Sequence, residues 1–417
     1  MISRERVVIV GAGLAGLRAA ERLRELNFEG EIILIGSEEV KPYHRPALSK
    51  QFLRGKMTVS ELEISQYGDL DLIWRLGVTV SHLQPRRRVV HLPGAEEVYY
   101  DGLIIATGVE PRRLSAGQHG HPRVLTMRRA SDALALRRHL DRNQDRVVVI
   151  GSGFTGCEIA STLREMDQEV TLVARGQTLM GKVLGPDIGR QLTELHRDGG
   201  VDLALGATVD KWSLGESSVG IALSNGRAFS AAAVVVAVGS VPSVTWLRGS
   251  GIPIRDGVVC DATCHVIGVD DVVAAGDVAQ WPNLRFDDVP RRVEHWINAT
   301  EMGRAAAQSL LEGRKAALPF MPVPRFWSEQ HGLRIQAAGN PSLGTERRSL
   351  WPDTSGGRSV TAYSNKAGRV VGVVGVDSSP AFLRHAEAML AQSPWEPTAG
   401  QQARERGHQS ALSAAAQ

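Results

Sequence analysis

Val7-Val8-Ile9-Val10-Gly11-Ala12-Gly13-Leu14-Ala15-Gly16 stands near the start of the chain, and Val147-Val148-Val149-Ile150-Gly151-Ser152-Gly153-Phe154-Thr155-Gly156 repeats its form. Each is a short apolar run suited to a buried parallel strand, followed by Gly-x-Gly-x-x-Gly and a helical pattern. The glycines have separate tasks. The first makes a tight turn, the second lets the backbone approach phosphates, and the third lets the helix pack closely on its strand. The helix start supplies free amides and the positive end of the helix dipole, which favour a pyrophosphate. A single copy is weak evidence, because ordinary glycine turns share the pattern. Two copies in the same context point to two dinucleotides held by one polypeptide.

Working outward, the first helix carries Leu17, Ala20 and Leu23 on its apolar face, with Arg18, Glu21, Arg22 and Glu25 between them. The second carries Ile159, Ala160, Leu163 and Met166 at helical spacing. Strands over 31–36 and 170–174 complete two strand-helix-strand units with right-handed crossovers. Residues 100–108 read as a buried strand ending in a small-residue turn, and 233–239 repeat that pattern. Residues 272–277 place an acid just after another apolar strand, and a helix follows over about 299–312. From Phe320 the texture changes to short strand-like runs at 326–328, 332–336, 360–363 and 370–376, which predict a separate α+β domain. The tail after Pro394 is rich in Gln, Ala, Arg and Ser and is expected to fray.

The 417 residues suffice for two to three domains, and 43% hydrophobic with 22% charged residues is the composition of an ordinary globular protein. A net charge of +3 gives no global pull towards nucleic acid or an anionic membrane. No apolar run reaches membrane-spanning length, and the first strand follows Met1 too closely for a signal peptide, so the expectation is cytoplasmic. Between Gly108 and Arg146, nine arginines face four acids, an excess that suits either an acidic partner or a solvated helix face. Cys157, Cys260 and Cys264 are too few for a disulfide framework, and their spacing is neither that of a redox pair nor that of a zinc half-site. They read as structural thiols, and no metal site is expected.

Five blocks, in order, carry a resemblance: Pro42-Tyr43-His44-Arg45-Pro46-Ala47-Leu48-Ser49-Lys50, Ala106-Thr107-Gly108-x-x-Pro111-Arg112, Ala275-Gly276-Asp277-Val278-Ala279, Glu294-His295-Trp296-x-Asn298-Ala299 and Phe326-Trp327-Ser328-Glu329-Gln330. Over residues 5–390 the chain resembles the FAD-dependent pyridine-nucleotide ferredoxin reductases, the family of putidaredoxin reductase, rubredoxin reductase and the reductase components of aromatic-ring dioxygenases. The resemblance implies an α/β, glutathione-reductase-like architecture: two Rossmann-like dinucleotide-binding domains and a C-terminal α+β domain. The expected boundaries are 1–112 and 240–319 for a two-segment FAD domain, 113–239 for an inserted NAD(P) domain, 320–394 for the C-terminal domain, and 395–417 for the tail.

FAD is expected at the first glycine turn, with its pyrophosphate against Gly11, Gly13, Leu14, Ala15 and Gly16. Glu38, 22 residues past Gly16, suits the adenosine ribose hydroxyls. Several relatives carry an acid at the position of Ser37, which is a second candidate for that contact. Arg45 suits the FAD phosphates, since a guanidinium fork matches phosphate oxygens. By resemblance Val80 lies along the adenine, and Ala106, Thr107, Gly108 and Arg128 line the flavin cleft. Gly276 and Asp277 meet the ribityl chain, while Glu294, His295 and Trp296 approach the isoalloxazine. Trp327 resembles a tryptophan beside the ring, and an ordinary core tryptophan is its alternative.

Two residues are the candidates for chemistry. Lys50 is expected near flavin N5 and O4, where a fixed cation favours the reduced anion. Glu158 resembles a glutamate near the nicotinamide, placed in the first turn of the second helix, and the two suit an ion pair that opens as nicotinamide enters. The disulfide reductases of this superfamily carry a cysteine pair beside the flavin, and other relatives a single cysteine. Here no cysteine precedes Cys157, so internal thiol chemistry is not expected.

The second nucleotide is assigned to Gly151, Gly153, Phe154, Thr155, Gly156, Val238 and Gly239. NADH-using relatives end the strand after the second glycine motif with a glutamate. This strand ends Val173-Ala174-Arg175, so a carboxylate that would repel a 2′-phosphate is replaced by a residue that accommodates one. NADPH is the expected donor; the alternative is that Arg175 points to water and NADH also serves. The leading reading is an NAD(P)H-oxidising, FAD-dependent reductase that supplies an iron-sulfur ferredoxin and, through it, a cytochrome monooxygenase or ring-hydroxylating dioxygenase. Arg112-Arg113, Arg291-Arg292 and Arg347-Arg348 are the candidate docking arginines. The rivals are a flavin-dependent oxidase or reductase acting directly on a small molecule, and a flavin-binding interaction protein with little turnover.

Overall fold

A computed structural model describes residues 5–64, 70–114, 120–140, 146–351, 359–378, 386 and 388–390. Two five-stranded parallel sheets form its centre. The first has the order Val272–Ala274, Gly102–Ile105, Arg6–Val10, Glu31–Gly36, Ile73–Leu76. The second has the order Asp202–Leu205, Val170–Ala174, Val147–Ile150, Ala233–Val236, Val124–Leu125. In both, the strand before the glycine turn lies between its immediate successor and a strand reached much later. The strand order therefore reverses at the glycine turn, where a crevice opens. These strands are apolar throughout because both sheet faces are covered: Val7, Val8, Ile9 and Val147 to Val149 are fully buried.

The repeat extends beyond the glycine motif. In each unit a three-stranded antiparallel meander is inserted between strands of the parallel sheet, His82–Gln84, Val89–His91 and Glu97–Tyr99 before Gly102–Ile105 in the first and Val209–Leu214, Val219–Leu223 and Ala228–Ala231 before Ala233–Val236 in the second. The chain leaves the first sheet along Val109–Pro111 and returns along Ser240–Pro242, and these two segments pair antiparallel. The returning chain supplies strand Val272–Ala274 to the first sheet and then the helix Trp296–Glu312, three residues longer at its start than the sequence pattern predicts.

Small residues set how closely that helix packs on Leu14–Glu25. A Cβ on Gly303 would sit 2.3 Å from the Ala15 carbonyl oxygen, so the helices meet backbone to backbone. Arg304 with Glu25 and Arg22 with Gln308 bracket the contact. The C-terminal unit is an antiparallel sheet ordered Arg325–Gln330, Leu333–Gly339, Val370–Val376, Ser359–Ser364, Glu346–Trp351. Its first hairpin turns through His331 and Gly332 at φ 48° and 75°, the two-residue turn whose twist matches the strands. The expected tail over 395–417, and Arg142 of the arginine-rich stretch, lie outside the described residues. No helix among the described residues is long and apolar enough to cross a membrane.

Candidate active site

A cavity of about 740 Å³ lies at the carboxyl ends of the first sheet. It runs from Val78, Thr79, Val80, Thr245 and Trp246 at one end, past the glycine turn, to Lys50, Glu158, Phe326 and Trp327 at the other. Of the residues assigned to FAD from the sequence, Gly11, Gly13, Leu14, Ala15, Ser37, Glu38, Arg45, Lys50, Val80, Ala106, Thr107, Gly108, Arg128, Gly276, Asp277, Glu294, His295, Trp296 and Trp327 all line it. Gly16 does not; it packs beneath the turn.

The two turns share their geometry. Gly11 and Gly151 have φ of 120° and 121°, and a Cβ on either would lie 2.1 Å from a carbonyl oxygen of the neighbouring strand's extension, Ala106 or Ala237. Gly16 and Gly156 each leave only 2.0 Å between such a Cβ and the oxygen of the first glycine. A Cβ on Gly13 or Gly153 would instead meet nothing within 4 Å. Neither following helix has a side-chain cap or an acid in its first turn, so its leading amides are free for an anion. Ser243 Oγ, Trp246 Nε1 and His295 Nδ1 are buried polar atoms without partners, and their residues line the same cavity. A nucleotide with polar groups along its length fits this open cradle and these orphaned atoms.

At the ribose end, two expected contacts of one ligand meet each other. Arg45 Nη2 lies 2.5 Å from Glu38 Oε1, the Tyr43 hydroxyl donates to Glu38 Oε2 at 2.7 Å, and Arg45 stacks on the Tyr43 ring. Burial pushes the Glu38 carboxyl up, but the charge and hydrogen bonds of Arg45 and Tyr43 outweigh it and hold the group below its ordinary range. A carboxylate has about four acceptor positions, so these contacts leave room for a ribose hydroxyl. Deeper in the cavity, burial raises Asp277 while Arg128, 3.2 Å away, opposes the rise.

At the opposite end Lys50 Nζ lies 2.5 Å from Glu158 Oε2, with only 9% and 10% of the two side chains exposed. Ser49 Oγ donates to Glu158 Oε2 and Ser328 Oγ to Glu158 Oε1, each at 2.7 Å. The helix begins at Phe154, so Glu158 is its fifth residue and stands in the second turn, not the first. Its placement is therefore a tertiary one: the helix Phe154–Glu165 lies between the second sheet and the C-terminal strand Arg325–Gln330. Burial and the Lys50 charge push nearby His44 down from its ordinary value, and His44 meets Trp296 edge-on at 4.9 Å. Phe154 meets Phe326 at 4.9 Å and His295 meets the same ring at 5.0 Å, walling the cavity where the two glycine-turn units approach.

Phe154, Thr155 and Glu158 reach this cavity, so the second turn opens onto the first site. Gly151, Gly153, Gly156, Val238, Gly239, Ala174 and Arg175 do not line it. Gly151 packs on Ala237 and Val238, and Ala174 ends its strand buried while Arg175 is exposed beyond it. Sequence reasoning did not single out Tyr43, Ser49, Ser328, Ser243 or Trp246 as site residues. Ser49 and Ser328 were adjacent to chosen residues, and strand alternation already puts Phe326, Ser328 and Gln330 on one face.

The three arginine doublets differ in how they are held: Arg291-Arg292 is engaged in ion pairs, while Arg112-Arg113 and Arg347-Arg348 are exposed. Arg292 is held between Asp256 and Glu294 with 8% of its side chain exposed, and Arg291 is paired with Asp287. Arg347 packs against Gly185, away from the cavity. The three cysteines are buried and unbridged, and burial pushes all three thiols well above their ordinary value.

Comparison with known proteins agrees with this arrangement. Residues 5–303 match the family model described as pyridine nucleotide-disulphide oxidoreductase, and residues 325–404 match the model described as reductase C-terminal. The chain is 32% identical over 394 residues to the benzene 1,2-dioxygenase system ferredoxin–NAD(+) reductase subunit of Pseudomonas putida, covering 94% of each chain. It is 30% identical to a ferredoxin–NAD(P)(+) reductase of a Sphingomonas species, again over 94% of each. A crystal structure of the covalent putidaredoxin reductase–putidaredoxin complex aligns with a TM-score of 0.86 at 27% identity, covering 94% of each chain.

Proposed function

From the premise that this chain belongs to the pyridine nucleotide-disulphide oxidoreductase family, we propose that it is an FAD-dependent NAD(P)H:ferredoxin reductase serving an oxygenase. The observation that carries the proposal is the pairing of two like glycine turns, one forming the cavity wall and the other delivering Phe154, Thr155 and Glu158 to its far end. FAD, when bound, accepts hydride from a nicotinamide and passes the electrons on singly. No cysteine lines the cavity and all three are buried, so no protein thiol is placed to intercept them. The Pseudomonas putida relative is the reductase subunit of a dioxygenase system, and one structural neighbour is a covalent putidaredoxin reductase–putidaredoxin complex.

This chain's own residues bind, orient and hold charge. The first-helix amides and Gly13 receive the FAD pyrophosphate, Glu38 the adenosine ribose, and Asp277 the ribityl hydroxyls. Lys50 supplies a positive charge next to the reacting ring. Glu158 neutralises Lys50 in the resting enzyme and is the group that nicotinamide must approach. Ala174 and Arg175 set coenzyme choice: Arg175 has no ion pair among the described residues and receives the 2′-phosphate of NADPH, while no acid at Ala174 repels it. Arg112 and Arg113 remain exposed for an acidic ferredoxin. Three unbridged thiols suit the reducing cytoplasm.

The test is anaerobic addition of NADPH or NADH to the FAD-loaded protein. Bleaching of the flavin band within seconds is expected, faster with NADPH. Failure of both coenzymes to bleach it would instead support a flavin-binding interaction protein.

A further inference from the structure

A row of buried hydrogen bonds leads away from Glu158. Ser328 Oγ donates to Glu158 Oε1 at 2.7 Å, and Gln330 Nε2 donates to Ser328 Oγ at 3.0 Å. Gln330 Oε1 lies 2.9 Å from His196 Nε2, and His196 Nδ1 lies 3.2 Å from His331 Nε2. The direction of every bond is fixed by the one before it. Ser328 has one proton, and a carboxylate paired with Lys50 accepts it, so the Ser328 oxygen must itself accept from the Gln330 amide. Gln330 Oε1 can then only accept, which puts the His196 proton on Nε2 and makes His331 the donor to Nδ1. All the hydrogens point towards Glu158.

Ser328 and His196 are fully buried and Gln330 is 1% exposed, so each lost bond would leave an unsatisfied group out of water. Burial drives His196 down to about 4, which keeps it neutral, as the row requires. The row joins three elements: Glu158 on the helix Phe154–Glu165, His196 on the helix Pro186–Asp198, and Ser328 with Gln330 on the strand Arg325–Gln330. The His331 backbone amide is tied to the first of these by Ser161 Oγ at 2.7 Å. The groups facing Glu158 are Lys50, Ser49, Ser328 and Cys157; those facing His331 are His196, Arg164 and Glu165, and Glu165 is itself paired with Arg54. Lys50 and Ser49 reach Glu158 from one segment, and the row reaches its other oxygen from the opposite side.

We propose that His196 and Gln330 are positioning residues that, through Ser328, keep the Glu158 carboxylate in place when Lys50 turns away to the flavin. The proposal rests on the reading that Lys50 and Glu158 work beside the flavin. In that arrangement Lys50 is the mobile member of the ion pair and Glu158 the fixed one. A half-satisfied buried network is worse than an apolar core, so the whole row must be intact for Glu158 to stay fixed.

The test compares FAD-loaded wild type with His196→Leu, Gln330→Met, Ser328→Ala, His196→Gln and Glu158→Gln. Two quantities are read: the visible spectrum of the resting bound flavin, and the limiting anaerobic reduction rate with its nicotinamide Kd. Breaking the row by Leu, Met or Ala should alter the resting spectrum and slow the limiting rate about tenfold, the equivalent of one net hydrogen bond. The Kd should be unchanged. His196→Gln, which returns an N–H donor to the same place, should recover both signals, and His196→Leu should add nothing in a Glu158→Gln background. Wild-type rate in Ser328→Ala, which deletes a single oxygen and spares the fold, would overturn the proposal. Equal slowing by His196→Leu with and without Glu158 would overturn it too. Wild-type rate in Glu158→Gln would overturn the underlying reading of Glu158 along with it.

Discussion

Lys50 Nζ and Glu158 Oε2 are 2.5 Å apart, although one belongs to the segment after the second strand and the other to the helix of the second glycine turn. The pair joins the two repeated units at the point where their ligands must meet. Removing one partner of a buried pair leaves the other uncompensated, at a cost of about 3–5 kcal/mol.

Lys50→Ala should therefore lower the melting temperature, and adding Glu158→Gln should recover most of the loss. Flavin reduction at saturating NADPH should be slow in both, by roughly 10²-fold, as for loss of one preorganised charge. FAD content on purification should be unchanged, since the contacts at the glycine turn remain. Stopped-flow reduction together with calorimetry separates the two effects. An unchanged reduction rate in Lys50→Ala would place the lysine away from the reacting ring.

Ala174→Glu with Arg175→Ala should reverse coenzyme preference. The new carboxylate would accept from the ribose 2′-hydroxyl and repel a phosphate, while the lost arginine removes a charge-assisted bond of about 1.5–3 kcal/mol. The ratio of kcat/KM for NADPH over NADH should fall at least tenfold, the lower end of that bond's equivalent. An unmoved ratio would assign selectivity to other residues.

Gly11→Ala and Gly13→Ala should fail in different ways. At Gly11 a Cβ would stand 2.1 Å from the Ala106 oxygen on a backbone at φ 120°, so the folded protein itself should lose stability, by more than the roughly 1–3 kcal/mol of backbone strain alone. At Gly13 a Cβ meets open space, so melting of the FAD-free protein should be unchanged and only FAD affinity should fall. Parallel melting curves and FAD titrations check both.

How much of this was legible beforehand follows the physics of each signal. The parallel strands and the glycine turns were readable because continuous apolar runs and a Gly-x-Gly-x-x-Gly spacing are local. The three-stranded meanders were not: Val209–Leu214 is half exposed and bulged, so its alternation is blurred. Glu158 was found, and its place in the second turn follows from the local helix start at Phe154, but its partners Ser49 and Ser328 depend on three elements meeting, which no local pattern encodes. Arg291-Arg292, a candidate docking pair in the sequence, is engaged by Asp287 and Glu294 within four residues and by Asp256 from a distant segment, and only the last of these contacts needs the fold to be seen.

Acid should destabilise the FAD-free protein early. His196 is held down to about 4 by burial, below its ordinary value of 6.5, so the unfolded chain takes up a proton that the folded one refuses. Its contribution is present above about pH 6.5 and is lost as pH falls towards 4, by on the order of 3 kcal/mol. Glu38, also lowered, acts in the same direction at lower pH. Urea unfolding at pH 7 and pH 5 should show a smaller loss in His196→Gln than in wild type. Equal losses would mean that His196 titrates freely in the folded state.

Electron exit is the central claim, and one anaerobic stopped-flow experiment addresses it. The flavin is reduced with one equivalent of NADPH and mixed with an excess of oxidised two-iron ferredoxin. The account predicts return of the oxidised flavin band together with about two reduced ferredoxins per FAD, the single-electron stoichiometry of a hydride divided between iron-sulfur acceptors. A flavin that stays reduced with every ferredoxin offered, and reoxidises only when oxygen or a small-molecule acceptor is admitted, would contradict it.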